Sequence, residues 1–411
     1  MKGSDKARLK EIIDLSTEIS RTNDIDILLD KILTKARALT GADAGSIYIK
    51  EDGRLTFKCA QNETLQKQLA PGRKLIHTRF ALPLDSASIA GYVGRSGNSL
   101  NIPDAYRLPP GASYVFNPEY DRISDYRTTS VLTLPLRIRH DICGVLQLIN
   151  AKTRDGAVVP FSGDMERYVL YFANSAAVAV ERAQLTRSIV LRMIKMVELH
   201  DPKETGGHVN RVAGYAVEVY EAWATRRDIP ADEVERNKDI LRIASMLHDI
   251  GKIGIPNTIL KKPGRLDASE FEAIKEHPRL GAKLFLEKQS DVDSLAFVVA
   301  CNHHERWDGK GYPGHIDVQT GKPVGGHGKE LGLARGKQGE EIPLLARIVS
   351  VSDVYDALCS ARCYKEAYDE PRALEVIRSE SGKAFDPEVV EAFFAALHNL
   401  RNVSSQYPET R

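Results

Sequence analysis

The chain has 411 residues, enough for two or three domains, with 57 lysines and arginines against 56 aspartates and glutamates and a formal net charge of +1. That balance excludes a broad electrostatic attraction to nucleic acid or to a membrane surface. No apolar run approaches the length of a membrane span. The cysteines (Cys59, Cys143, Cys301, Cys359 and Cys363) are scattered without Cys-x-x-Cys spacing, and the charged start Met1-Lys2-Gly3-Ser4-Asp5-Lys6 has no signal-peptide core. They read as thiols of a cytoplasmic protein.

Residues 7–40 repeat apolar side chains at helical spacing, from Leu9, Ile12, Ile13 and Ile19 to Ile25, Leu28, Leu29, Ile32, Leu33 and Leu39. Between Ala44 and Asn150 the pattern shortens to strand-like runs such as Ser46-Ile47-Tyr48-Ile49 and Leu55-Thr56-Phe57-Lys58. Ser130–Leu136 and Gly144–Ile149, joined by a polar turn, are the best hairpin candidate. This order predicts an α+β domain over residues 1–160, an antiparallel sheet with flanking helices.

Ser162 is placed to cap a long helical pattern over 161–200 that runs through Val169, Phe172, Ala176, Val180, Ala183, Ile189, Met193 and Val197. A single helix of that length would reach roughly 55 Å. It would either join two domains or pair with its own copy in a homodimer; two shorter helices broken near Arg187 are the alternative. Residues 201–411 are predicted all-α, with loops at 251–268 and 305–341, and the stretch 314–340 reads as a surface excursion.

Imidazoles and carboxylates cluster in this second half. Glu204 and His208 stand four apart, on one face of a helix starting near Glu204. His248-Asp249 follows the apolar run Ile243–Leu247, His277 precedes Pro278, His303-His304 follows Val298–Cys301, and Asp353 follows Ile348–Val351. Any one of them is well explained as a core histidine satisfied by a backbone carbonyl. Together, next to apolar helices, they point to paired groups or a metal centre. Imidazole and carboxylate without thiolate suits iron, manganese or zinc acting as a Lewis acid; no organic cofactor is evident.

His208, His248-Asp249 and Asp353 reproduce the H…HD…D signature of the HD metal-dependent phosphohydrolases. His248–Gly254, His277-Pro278 and His303-His304-Glu305 running to Gly311-Tyr312-Pro313 resemble the HD-GYP group of cyclic di-GMP phosphodiesterases, over roughly 187–400. The resemblance implies an HD-type helical bundle holding two or three metal ions, most plausibly iron with manganese as the alternative. The ligands it implies are Glu204, His208, His248, Asp249, His277, His303, His304 and Asp353, with Glu204 serving a third metal. It also implies hydrolysis of cyclic di-GMP, with linear pGpG or GMP as the alternative final products and Asp249 taking part in the attack on phosphorus. Lys252 falls at the family's catalytic lysine, and Arg362 and Lys365 fall at positions that hold substrate phosphates. Tyr312 would stack on or hydrogen-bond the nucleotide, while Asp308 is structural. A related substrate such as cyclic GMP-AMP, or a silent cyclic di-GMP receptor, are the competing readings. One departure stands out: the path from Gly311-Tyr312-Pro313 to Glu341-Ile342-Pro343-Leu344 is longer than in relatives, so residues near 315–335 look like an insertion, read as a passive surface loop.

Residues 20–155 resemble a GAF sensor domain through Ser88–Val93, Leu100-Asn101-Ile102-Pro103-Asp104, and the Ser130–Leu136 strand with Gly144–Asn150. The resemblance implies an unidentified small-molecule ligand, and Asp121-Arg122 with Thr128-Thr129-Ser130 is similar to cyclic-nucleotide-binding members.

Overall fold

The computed structural model describes residues 3–70, 80–200, 206–262, 264–328, 334–360 and 368–407. The chain divides into two compact units, Met1–Arg187 and Ser188–Arg411.

The first unit opens with helices α1 (Gly3–Ile19) and α2 (Ile25–Thr40). Asp24 caps α2 by accepting from the amides of Asp26 and Ile27, and Gly41, at φ 66°, ends it in the left-handed conformation that glycine adopts without cost. Strands β1 (Ala42–Glu51) and β2 (Arg54–Asn62) follow, then α3 (Glu63–Gln66), β3 (Ala81–Pro83), α4 (Ile89–Ser96), β4 (Leu100–Ile102) and α5 (Glu119–Ser124). Strands β5 (Val131–Ile138), β6 (Asp141–Lys152) and β7 (Val158–Val159) complete an antiparallel sheet of order β3-β2-β1-β6-β5-β4, with β7 on β6. The hairpin candidate is β5–β6, registered with Leu132 opposite Leu148 and Leu136 opposite Gly144.

Alternation sorts the two faces of this sheet. Ile47, Ile49, Leu132, Leu134, Leu136, Leu146 and Leu148 join α2 and the next helix in one core, while Tyr48, Phe57 and Val145 pack with α4 on the other face. That next helix, α6 (Gly163–His200), is one element of 38 residues rather than two broken near Arg187. Ser162 receives the Met165 amide at 3.2 Å, the expected cap. Val169, Phe172, Ala176, Val180 and Ala183 bury in the first unit's core. Val190, Ile194 and Val197 bury in the second unit's core.

The second unit is helical: α7 (Gly206–Arg226), α8 (Ala231–Met246), a 3-10 turn (Ile250–Gly254), α9 (Asn257–Leu260), α10 (Ala268–Ile274), α11 (His277–Lys283), α12 (Asp291–Asn302), α13 (Leu344–Cys359), α14 (Glu370–Ser379) and α15 (Pro387–Gln406). Tyr215, Leu241, Val299, Ile348 and Phe393 lie in its core. Among the described residues, no helix is long and apolar enough to cross a membrane.

Phe172 is fully buried in the first unit. Phe172→Ala is expected to cost that unit about 3–5 kcal/mol. Because the two tryptophans, Trp223 and Trp307, lie in the second unit, the variant should lower the melting transition seen by far-UV circular dichroism more than the one seen by tryptophan fluorescence.

Candidate metal centre

Three of the histidines sit just past a helix end, where the last carbonyls have no intrahelical donor. His248, beyond α8, donates Nδ1–H to the Ser245 carbonyl at 2.8 Å. His277, beyond α10, donates to Ile274 O at 2.6 Å, and His303, beyond α12, donates to Ala300 O at 3.0 Å. A carbonyl can only accept, so each ring carries its proton on Nδ1 and leaves Nε2 as a lone pair. His208 lies inside α7 rather than past its end. Its Nδ1 meets Asp356 Oδ2 at 2.8 Å, and Arg211 grips that carboxylate with Nε and Nη2 at 2.6 and 2.8 Å.

The inward-facing Nε2 atoms and two carboxylates form two groups: Asp249, His277, His303 and His304, and His208, His248 and Asp353. Asp249 joins them. Its Oδ1 lies 3.0 Å from His277 Nε2 and 3.4 Å from His303 Nε2. Its Oδ2 lies 3.3 Å from His248 Nε2 and 2.7 Å from Lys252 Nζ. Asp353 Oδ1 stands 3.6 Å from His208 Nε2 and 3.9 Å from His248 Nε2.

The arrangement fits cations. Asp249 Oδ1 is buried and accepts no hydrogen bond, although two imidazole nitrogens face it. The Nε2 atoms of His277 and His303 are 3.4 Å apart; with both protons on Nδ1, two lone pairs confront each other, a repulsion that a shared cation removes. Burial pushes the His303 pKa down, and burial together with His303 and His277 pushes His304 well down, so both rings stay neutral ligands. Burial alone would raise the Asp249 carboxyl, but the Lys252 ammonium beside it, joined by His248 and His277 whenever those rings are protonated, holds it well below the usual range.

Backbone proximity makes the grouping possible. A Cβ on Gly251 would meet the His277 carbonyl at 2.0 Å and the Gly281 nitrogen at 2.3 Å, so only glycine lets α11 bring His277 against Asp249. Gly311 plays the same part in the following turn, where a Cβ would meet the Arg306 nitrogen at 2.3 Å. That turn places the Tyr312 ring 4.9 Å from His304. Asp308 pairs with Arg306 and the Lys310 amide, a structural role.

The described ends of the excursion after Pro313 are held together. The buried Glu305 accepts the outgoing Gly314 amide on one oxygen (2.5 Å) and the returning Lys337 amide on the other (3.0 Å). His315 N donates to Arg335 O at 3.0 Å, and Val318 buries against Ala282 and Cys301. Sequence reasoning gave no site role to Glu305 or Asp356, which it quoted only within motifs, and missed Arg211. The signals were an acid directly behind the histidine pair, and Arg211 and Asp356 each three residues past a ligand candidate. Glu204, Arg362 and Lys365 lie outside the described residues.

Residues 205–358 match the HD domain family and residues 24–180 the GAF domain family. The chain pairs a GAF domain with an HD domain. A cyclic di-GMP phosphodiesterase of Vibrio cholerae serotype O1 is 30% identical over 294 residues, covering 68% of this chain and 56% of that protein. The cyclic di-GMP phosphodiesterase response regulator RpfG of Xanthomonas campestris pv. campestris is 32% identical, over 67% of this chain and 64% of that protein. The 3′3′-cGAMP-specific phosphodiesterase 2 of Vibrio cholerae serotype O1 is 31% identical, over 56% of this chain and 38% of that protein. The chain spans about half the length of the relatives it matches.

Gly251→Ala forces His277 away from Asp249. The expected result is at least ~10-fold weaker metal retention with far-UV circular dichroism close to that of the parent protein, read by metal analysis after dialysis. Full retention would remove Gly251 from the account.

Proposed function

We propose that the HD domain is a metal-dependent phosphodiesterase that opens cyclic di-GMP to linear pGpG and on to GMP. The observation that carries this reading is Asp249, whose two oxygens face two different groups of ligand atoms, with Lys252 Nζ at 2.7 Å. In this reading His208, His248, Asp249, His277, His303, His304 and Asp353 hold two ions, and Glu204 a third. Iron, or manganese in its place, suits the all-imidazole-and-carboxylate donors. Such ions would neutralise charge developing on the phosphoryl oxygens and acidify a water enough for attack. The chain's own groups do the rest: Asp249 helps place the nucleophile for attack on phosphorus, and Lys252 offsets charge at the scissile phosphate or leaving oxygen. Arg362 and Lys365 hold phosphate oxygens, and Tyr312 lines the substrate side. The resemblance to a 3′3′-cGAMP-specific phosphodiesterase keeps cyclic GMP-AMP as the second candidate substrate.

The GAF domain is proposed to bind a small molecule, such as a cyclic nucleotide, that modulates this activity. The exposed Phe80, stacked on the buried Phe57 ring, offers an aromatic contact for it. Within the second unit, the last turn of α6 touches the segment after Lys252, through His200 Nε2 to Ile255 O at 2.6 Å and Lys261 Nζ to Leu199 O at 3.1 Å. That contact gives the helix a hold on the lysine. A homodimer through α6 belongs to the same reading. Tyr171, Val178 and Leu185 stand exposed at seven-residue intervals, as do Ile189 and Met196, the spacing a paired helix buries. A reducing, cytoplasmic setting agrees with the free thiols of Cys59, Cys143, Cys301 and Cys359.

Purified without oxygen and loaded with iron or manganese, the protein is expected to hydrolyse cyclic di-GMP, and chelation should abolish turnover. Asp249→Ala, His303→Ala and Lys252→Met should each lower kcat at least ~10²-fold; a metal-replete protein that binds the dinucleotide without turnover would instead be a receptor. Val178→Glu with Leu185→Glu should shift the light-scattering mass from dimer to monomer, and an unchanged mass would dismiss the α6 interface.

A further inference from the structure

A row of side chains outside the ligand groups leads from the centre to solvent. Tyr312 lies beside His304. Lys275, two residues before His277, holds its Nζ 5.7 Å from the Tyr312 ring centroid and 4.9 Å from that of Phe271. Phe271 is a large apolar side chain left 47% exposed on α10. The only ion pair described for Lys275 is to Glu272, at 2.6 Å on the same exposed helix face, a partner that a phosphate displaces readily because such surface pairs are weak. A short helix holding an aromatic ring and an ammonium group side by side, next to a phosphodiester-cleaving centre, matches one ligand chemistry: a flat nucleobase joined to a phosphate. Aromatic rings stack on any base and cations track the backbone.

We propose that Phe271 and Lys275 form a nucleotide subsite, with one base of the dinucleotide stacked on Phe271 and the non-scissile phosphate paired with Lys275 in place of Glu272. This rests on the phosphodiesterase reading and names the residues that favour a dinucleotide over a simple diester. Phe271 and Lys275 act in binding and hold no metal.

The test compares the metal-loaded full chain with its Phe271→Ala, Phe271→Trp and Lys275→Met variants on two substrates. One is cyclic di-GMP and the other is methyl p-nitrophenyl phosphate, a diester without a nucleobase. Phe271→Ala and Lys275→Met should raise KM for cyclic di-GMP about tenfold with kcat within about twofold, at parental metal content. Neither should change kcat/KM for the small diester, and Phe271→Trp should keep the parental KM. Equal losses on both substrates, or no loss on either, would overturn the subsite. If the parent protein hydrolyses neither, the phosphodiesterase reading fails separately. Equilibrium binding of cyclic di-GMP to the parent and to Phe271→Ala then decides the subsite: about tenfold weaker binding supports it, and equal binding overturns it.

Discussion

Everything in the second unit depends on how a helix end treats a histidine. The final carbonyls of α8, α10 and α12 need donors, and His248, His277 and His303 each supply one through Nδ1. That single bond caps a helix, fixes a tautomer and aims Nε2 at a common point. A buried histidine satisfied by a backbone carbonyl and a buried histidine poised to bind metal are therefore one arrangement here, not two competing ones. The exception supports the rule. His208 lies within α7, and the Asp356 carboxylate meets its Nδ1, with Arg211 neutralising that carboxylate in turn.

Converging lone pairs and carboxylates carry a cost that constrains the surroundings. Asp249 is buried, and an ionised carboxylate away from water is tolerated only with charge or cations nearby. Lys252 meets one oxygen; the other faces imidazole nitrogens that have no proton to offer it. The requirement for a cation is thus written into the tautomers. It also explains the glycines, because the two ligand groups meet only if α11 approaches the Asp249 segment closer than a Cβ at Gly251 permits.

Much of this was legible in the sequence, for a physical reason. Strand alternation fixes which face a residue takes, so Ser130–Leu136 and Gly144–Ile149 announced the β5–β6 hairpin. Ser162 before a long helical period announced α6. Buried histidines are rare enough that His248, His277 and His303 stood out where each apolar helix ended, and the structure brings them together. The pairing of Asp356 with Arg211 escaped notice because an ordinary ion pair looks the same in sequence whether it is solvated or buried, and these two lie far apart along the chain. The three-residue strands β3 and β4 carry too little pattern to register at all.

Glu305 shows why an insertion can sit beside such a constrained centre without disturbing it. One carboxylate oxygen holds the amide that leaves the Tyr312-Pro313 turn and the other holds the amide that returns to it. The Gly336 backbone then packs against the Gly309 carbonyl so closely that a Cβ would stand 2.5 Å from it. The two ends of the excursion are adjacent before any of its residues are counted, so added length costs only loop entropy, which grows slowly. Burial raises the Glu305 pKa while the two amide bonds oppose the shift. The excursion between Gly314 and Gly336 can therefore vary in length and composition while His303, His304 and Tyr312 keep their places, because the residue that closes the loop is the one that follows the histidine pair.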